Sequence, residues 1–117
     1  MILLVSILLC LIVGCEKQEE IKVGESKEEM IERVLKEKNY VVVDVRTKEE
    51  YEDSHVKNAL NIPYDEIDEN TDLPKDKIIM VYCRSGKRSN IAYNTLKKLG
   101  YEVIDLGSFD SVILEKE

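Results

Sequence analysis

Three short runs dominated by Val, Ile and Tyr predict strands: YVVVDV at 40–45, KIIMVY at 77–82 and YEVIDL at 101–106. The first two runs are almost continuously apolar, which is typical of a strand buried on both faces of a sheet. Two weaker segments also predict strands, one near Ile21–Val23 and one within NALNIP that ends at Pro63. The hydrophobic pattern therefore predicts about five strands.

The segments between these strands carry the apolar spacing and the capping signals of helices. Ser26 and Glu29 form the S-x-x-E pattern of a capping box, and Thr47 and Glu50 offer a second one. Gly100 stands where a glycine commonly ends a helix. The predicted helices span 26–38, 47–53 and 89–99, with one or two helical turns at 64–69 and a closing helix at 108–116.

The alternation of strands and helices predicts the fold class. In a chain of 117 residues, it indicates one α/β domain in which helices cover a mostly parallel central sheet. The carboxyl ends of parallel strands are the usual place for a ligand in such a sheet. Any chemistry is therefore expected where a predicted strand gives way to the following helix.

The first fifteen residues, MILLVSILLCLIVGC, are uncharged. This run is shorter than the roughly 20 residues that cross a bilayer, and it has the length of the apolar region of a signal peptide. Its ending resembles a bacterial lipobox, in which the cysteine is lipidated and becomes the mature N-terminus. We therefore interpret 1–14 as a lipoprotein signal peptide, although no Lys or Arg precedes the apolar run. An uncleaved anchor or a buried first helix is the alternative.

This interpretation also sets the domain boundaries and the location of the protein. Cys15 would carry the lipid, 15–21 would be a tether, and 22–117 would form the domain on the extracytoplasmic face of a bacterial membrane. Cys10 would be lost with the signal peptide, which leaves Cys83 as the single free thiol. A lone thiol in an oxidising space is either buried or used in chemistry.

The net charge of the chain limits the kinds of molecule that it is expected to bind. The chain has 24 Asp and Glu against 17 Lys and Arg, a formal net charge of −7. A nucleic-acid surface needs a basic stripe that neutralises phosphates, so no nucleic-acid partner is expected. Any small anion must instead be bound by a local cluster of cations.

Such a cluster follows Cys83 in the segment VYCRSGKRSN, at the end of the predicted strand 77–82. Backbone N–H groups at the start of the next helix, together with the helix dipole, attract anions at this point. Gly86 permits a tight turn, and the segment adds the cations of Arg84, Lys87 and Arg88. Each feature favours thiolate over thiol. The sequence thus predicts a nucleophilic thiolate that solvent can reach. A metal site is not expected, because the chain has only one His and no second free Cys to serve as ligands.

The length of the segment separates two kinds of cysteine chemistry. Enzymes that transfer phosphate through cysteine use the pattern Cys-x5-Arg, whose loop surrounds a tetrahedral dianion. Counting from Cys83, that position holds Ser89, and Arg88 comes one residue too early. The shorter loop suits one added sulfur atom better than a phosphoryl group.

Four segments of the sequence resemble the single-domain rhodaneses, a family of sulfurtransferases. They are DVRTKEEY at 44–51, SHVKNALNIP at 54–63, YCRSGKRS at 82–89 and LGYEVIDLGSF at 99–109. The resemblance implies a rhodanese-like three-layer sandwich and a six-residue active loop that begins at Cys83. It implies that Cys83 takes a sulfane sulfur and becomes a persulfide, without a cofactor. The residues that would bind the anionic donor are Arg84, Ser85, Gly86, Lys87 and Arg88.

The same resemblance implies supporting roles for residues near the end of the first buried strand. Asp44 and Arg46 are expected to brace loops by ion pairing beside Cys83, with Glu50 as a partner of Arg46. His55 is expected to be a structural histidine bonded to backbone. Asn58 replaces a family glycine and is expected to keep its left-handed turn, because Asn tolerates that conformation.

The predicted function is the transfer of sulfur from thiosulfate or a persulfide donor, through Cys83, to a thiol or cyanide. Two alternatives remain open. A persulfide carrier or redox-sensing module would need the same thiolate without turnover. An arsenate reductase or phosphatase would use the same fold, although the loop count opposes it.

Overall fold

The structure is a computed structural model, and it describes residues 24–117. The described residues fall into two units, with the division between Arg33 and Val34. In the first unit, Ser26 and Glu29 form the expected capping box: the Ser26 N–H donates to Glu29 over 2.9 Å and the Glu29 N–H donates to Ser26 Oγ over 3.1 Å. Helix α1 spans Lys27–Glu37 and begins at this capping box.

The second unit contains a sheet of four parallel strands in the order β2-β1-β3-β4. The strands are β1 (Tyr40–Asp44), β2 (Leu60–Asn61), β3 (Ile78–Cys83) and β4 (Glu102–Ser108). Because β1 and β3 are adjacent and parallel, Asp44 pairs in register with Tyr82. The carboxyl ends of these two strands therefore bring Asp44 next to the residue that precedes Cys83.

Helices flank this sheet. Helix α2 spans Lys48–Asp53 and helix α3 spans Lys87–Lys98, and short 3₁₀ turns lie at Tyr64–Glu66 and Phe109–Ser111. The capping box predicted at Thr47 and Glu50 starts α2. Helix α3 packs against β3 and β4, and its Ala92 and Leu96 are fully buried.

The core explains why the central strands have continuous apolar sequences. Residues 79–83 of β3 have no exposed surface at all, as expected for a parallel strand covered on both faces. The main cluster also includes Val43 and Val45 from the first strand region and Val103 from β4. The α/β class with a parallel sheet is confirmed.

Two predicted helices differ from the structure, and one predicted strand is not tested by it. The described residues contain four strands, and the fifth predicted strand, near Ile21–Val23, lies outside them. Helix α3 begins at Lys87, two residues before the predicted start, so only 84–86 separate it from β3.

The closing helix predicted at 108–116 is wrong. Strand β4 continues to Ser108, and the end of the chain then runs antiparallel to residues 55–57 through a bridge between Val56 and Lys116. The His55 N–H donates to the Glu117 carbonyl over 2.8 Å, and the Glu117 N–H returns to the His55 carbonyl over 2.7 Å. These backbone hydrogen bonds join residues about sixty positions apart, which no local pattern reveals.

The predicted signal peptide, the lipidated Cys15 and the tether at 15–21 all lie outside the described residues. From Gly24 onward, no helix combines the length and the apolar character needed to cross a membrane.

Candidate active site

Cys83 is the last residue of β3, and the chain turns into α3 within three residues. Gly86 precedes the helix with a φ of 100°, a left-handed conformation that favours glycine. This tight turn brings the start of α3 back over the end of β3. The predicted use of Gly86 as a turn residue is confirmed.

The sulfur of Cys83 accepts two backbone hydrogen bonds from this turn. The Gly86 N–H lies 3.0 Å from Sγ and the Ser89 N–H lies 3.2 Å from it. Ser89 also donates its hydroxyl to the Gly86 carbonyl over 3.2 Å, which holds the turn closed. Amide donors at a helix N-terminus interact favourably with anions, and this turn directs two of them at the sulfur of Cys83.

Two further amides lie free at the same helix start. Within residues 24–117, the N–H groups of Lys87 and Arg88 have no hydrogen-bond acceptor, as is usual for the first turn of a helix. They remain available to an anion that approaches the sulfur.

Cys83 itself has no exposed surface, so the expectation that solvent reaches the thiolate is wrong for this conformation. The turn that follows lies against the sulfur, and we call it the cover of Cys83; its first two residues, Arg84 and Ser85, are exposed. Within the described chain, the backbone of these two residues makes no hydrogen bond outside the sheet and helices. Sequence position at a strand end placed the residue correctly but could not show how closely the following turn folds over it.

The three cations after Cys83 have different surroundings. Arg88 is bound to Glu50, with its two terminal nitrogens 2.8 and 3.1 Å from the carboxylate oxygens. The side chains of Arg84 and Lys87 are exposed, and neither has an ion-pair partner in the part of the chain that the structure describes. Arg84 and Lys87 are therefore the cations that an incoming anion meets without displacing a carboxylate.

The ion pair of Arg88 and Glu50 perturbs both partners. The hydrogen bond from Arg88 lowers the pKa of Glu50 to about 2, despite an opposing contribution from burial. The hydrogen bond from Glu50 in turn raises the pKa of Arg88, and the nearby charge of Cys83 acts in the same direction. This pair ties α2 to the first turn of α3, directly beside the Cys83 turn.

Asp44 and Arg46 form the expected brace. The closest contact, 2.6 Å, joins Arg46 Nη2 to Asp44 Oδ2, and both side chains are almost completely buried. Arg46 also donates to the Ser54 carbonyl over 2.6 Å. Burial lowers the pKa of Arg46, but its hydrogen bond and charge interaction with Asp44 outweigh that effect and raise it overall.

Glu50 is not the hydrogen-bond partner of Arg46, so that prediction is wrong. Asp44 lies two residues before Arg46, at the end of β1, and its carboxylate accepts the hydrogen bonds of the Arg46 guanidinium. Glu50 lies on α2 and its carboxylate is used by Arg88.

Tyr82 is a supporting residue that the sequence analysis missed. Its hydroxyl donates to Asp44 Oδ2 over 2.7 Å and accepts the Val56 N–H over 3.0 Å. The Arg46 guanidinium carbon lies 4.5 Å from the centre of the Phe109 ring and 5.5 Å from that of Tyr82. Burial raises the pKa of Tyr82 well above its usual range. In a continuously buried strand, no alternation distinguishes such a residue from ordinary core.

His55 and Asn58 have the structural roles expected. His55 Nδ1 is 2.8 Å from the Tyr51 carbonyl, and its ring stacks on Tyr51 at 3.8 Å. Asn58 adopts a φ of 69°. Among residues 24–117, no group of three His, Cys, Asp or Glu side chains is placed to hold a metal ion.

Comparison with known proteins agrees with this arrangement. Residues 26–113 match the family model of the Rhodanese-like domain, so the chain belongs to the rhodanese-like domain family. In structure, it is similar to a rhodanese with anions from E. coli, with a TM-score of 0.61 and 30% identity, covering 67% of this chain and 96% of that one.

Among curated relatives, the chain is 36% identical over 78 residues to the thiosulfate sulfurtransferase PspE of Escherichia coli, covering 63% of this chain and 75% of that protein. It is 40% identical over 89 residues to a probable molybdopterin-synthase adenylyltransferase of Porphyra purpurea, covering 74% of this chain. The chain spans only 22% of that protein, and 24% of the adenylyltransferase and sulfurtransferase uba4 of Ogataea parapolymorpha. The shared part is the domain.

The ion pair of Glu50 gives a pH-dependent prediction. Because the folded-state pKa is lowered from 4.5 to about 2, the stabilisation is complete above about pH 5 and is lost as the pH falls from 4.5 towards 2. Glu50→Gln should therefore lower the free energy of unfolding by about 1–2 kcal/mol near pH 7, after allowance for partial solvent screening. Urea unfolding at a series of pH values should show this difference shrinking towards pH 2.

Glu49→Gln is the matched control, because Glu49 is the exposed neighbour on the same helix. Its unfolding free energy should stay within about 0.5 kcal/mol of the parent at every pH. A Glu50→Gln difference that does not change with pH would contradict an ionised pair.

Proposed function

We propose that this protein is a sulfurtransferase that carries a sulfane sulfur as a Cys83 persulfide. The donor is thiosulfate or a persulfide, and the acceptor is a thiol or cyanide. The observation that supports this most directly is the sulfur of Cys83, held by two amides at the start of α3. The thiosulfate sulfurtransferase among its relatives and the rhodanese among its structural neighbours agree with the assignment.

The reaction takes two displacements. The Cys83 thiolate attacks the outer sulfur of thiosulfate, a bond forms between the two sulfurs, and sulfite leaves with the electron pair of the broken S–S bond. The acceptor thiolate, or cyanide, then attacks the outer sulfur of the persulfide, and Cys83 leaves again as thiolate. Atoms and electrons balance without a cofactor.

The residues around Cys83 divide the work of binding. Arg84 and Lys87 attract the anionic donor, and the free amides of Lys87 and Arg88 stabilise the outer sulfur of the persulfide. Ser85 and Gly86 supply the short turn, and Ser89 fixes it. Arg88, paired with Glu50, positions the first turn of α3. Asp44, Arg46 and Tyr82 hold the strand ends on which this turn rests.

A donor can reach the sulfur only if the cover over it opens. The segment of Arg84 and Ser85 has few restraints, and such segments open locally at low cost in free energy. We propose that this opening is the step that admits the donor.

The covered thiol also favours a second function, a persulfide carrier. A relative 32% identical over 80 residues, covering 43% of that protein, is a putative sulfur carrier protein, YrkF of Bacillus subtilis. Steady-state assays with thiosulfate and cyanide separate the two functions, because a carrier reacts once and then stops whereas an enzyme continues to turn over.

The uncharged first residues of the sequence motivate a proposal on location. We propose that 1–14 are removed and that a lipid on Cys15 holds the domain on the extracytoplasmic face of a bacterial membrane. Labelled fatty acid should be incorporated into the parent protein in a bacterial host, and Cys15→Ser should lose the label. Cys10→Ser should keep the label, because Cys10 lies within the removed segment and does not carry the lipid. Equal labelling of the parent and Cys15→Ser would contradict the anchor.

Mass spectrometry of the peptide that contains Cys83 tests the chemistry. After incubation with thiosulfate, this peptide should gain the mass of one sulfur atom, and cyanide should remove it. Cys83→Ser should gain nothing, while Cys10→Ser should behave like the parent. Absence of the added sulfur on Cys83 in the parent protein would contradict the proposed donor reaction.

Alkylation of Cys83 tests the opening of its cover. Under native conditions, iodoacetamide should label Cys83 completely, but more slowly than in denaturant. Leu96→Ala removes a fully buried side chain and should destabilise the fold by about 2–5 kcal/mol. If labelling follows local opening, this variant should be labelled at the rate of the parent. A rate that rises with the lost stability would show that only global unfolding exposes the thiol, and the catalytic role would then be untenable.

A further inference from the structure

Helix α3 concentrates the positive charge of an acidic chain. From Arg84 to Lys98 the sequence contains five Lys or Arg residues and no Asp or Glu, whereas the whole chain has a net charge of −7. A basic region of this kind raises the local concentration of acidic groups and speeds their association. Its position matters, because the helix begins at the Cys83 turn.

One face of the helix is open to solvent along its length. Lys87, Ile91, Asn94 and Lys98 are spaced four, seven and eleven residues from the first of them, so they lie on one side of α3. All four are exposed, and Ile91 exposes 43% of its surface although it is a large apolar residue. We name these four residues the α3 surface.

The lysines at the two ends of the α3 surface have no carboxylate as an ion-pair partner among the described residues. In the region from residue 24 to the end of the chain, neither Lys87 nor Lys98 takes part in an ion pair, although Arg88 does. A cation in the last turn is favoured by the helix dipole, which accounts for Lys98. The same dipole disfavours Lys87 in the first turn, so it does not account for the whole arrangement.

We propose that the α3 surface docks an acidic protein segment that carries the thiol to which Cys83 gives its sulfur. This inference rests on the proposed function. The partner's carboxylates would pair with Lys87 and Lys98, and an aliphatic side chain would cover Ile91. The two lysines are separated by eleven residues of helix, about 16 Å, so a bound segment would run from the Cys83 turn along α3.

Charge complementarity alone would also suit an anionic lipid surface. Lys87, however, belongs both to the α3 surface and to the first turn beside Cys83. A flat membrane against this face would cover the turn through which the acceptor must approach. A narrow acidic segment leaves that turn accessible, and it delivers the thiol there.

Synthetic peptides provide the test. The full-length protein is loaded with sulfur by thiosulfate, and the transfer rate from Cys83 is measured to Cys-Gly-Ser-Gly-Ser-Glu-Glu, to the same peptide ending in Lys-Lys, and to cyanide. In the acidic peptide, the first Glu comes five positions after the Cys, a distance of about 17 Å when the peptide is extended. This length matches the separation of Lys87 and Lys98 on the α3 surface. At low salt the acidic peptide should accept sulfur about tenfold faster than the basic one. At about 1 M salt, where the Debye length is about 3 Å, the rates should converge.

Lys98→Glu provides the variant, because this residue lies far from the Cys83 turn. Its preference for the acidic peptide should fall by at least about fivefold, while transfer to cyanide stays unchanged. Lys36→Glu is the matched control, since Lys36 is an exposed lysine in the last turn of α1. It makes the same change of charge and should keep the preference of the parent.

The outcomes distinguish this inference from the proposed function. Transfer to cyanide with equal rates for the two peptides would overturn the docking surface and leave the sulfurtransferase assignment intact. No transfer to any acceptor would overturn both. If Lys98→Glu lowers binding to phosphatidylglycerol vesicles, with no effect on the peptide rates, the surface binds lipid and the inference is wrong.

Discussion

The rest of the site depends on the hydrogen bonds and the ion pair of the Asp44 carboxylate. This carboxylate is completely buried, and a buried charge is tolerated only when it is fully paired and hydrogen-bonded. Here it accepts hydrogen bonds from the backbone and the guanidinium of Arg46 and from the hydroxyl of Tyr82. Because Tyr82 precedes Cys83, this single group fixes the end of β3 against the end of β1.

The same contact extends to the end of the chain. The Tyr82 hydroxyl also accepts the Val56 N–H, and residues 55–57 pair with the C-terminal residues. The Phe109 ring contacts two cations, with its centre 4.5 Å from the guanidinium carbon of Arg46 and 5.1 Å from Lys116 Nζ. Removal of either Asp44 or Arg46 would leave the other as an unpaired buried charge, which costs about 3–5 kcal/mol.

The features that could be predicted from the sequence were those governed by local physics. Continuous apolar runs gave the central strands, and the capping boxes at Ser26 and Thr47 gave the starts of two helices. The position of Cys83 at a strand end followed from the same pattern. The partner of Arg88 could not be found in this way, because Glu50 lies 38 residues earlier. The end of the chain was misread as a helix because its hydrogen bonds are made with residues 55–57.

The burial of Cys83 reflects a conflict between directing amides at the sulfur and leaving the sulfur accessible. The turn must be tight for Gly86 and Ser89 to direct their amides at one sulfur atom, and that tightness covers the sulfur. Strong charge pairing holds one side of the turn, where Arg88 is fixed by Glu50. The other side, at Arg84 and Ser85, is exposed and has few restraints. The opening that we propose would therefore move Arg84 and Ser85, while the Ser89 amide, which lies in the anchored first turn of α3, stays in place.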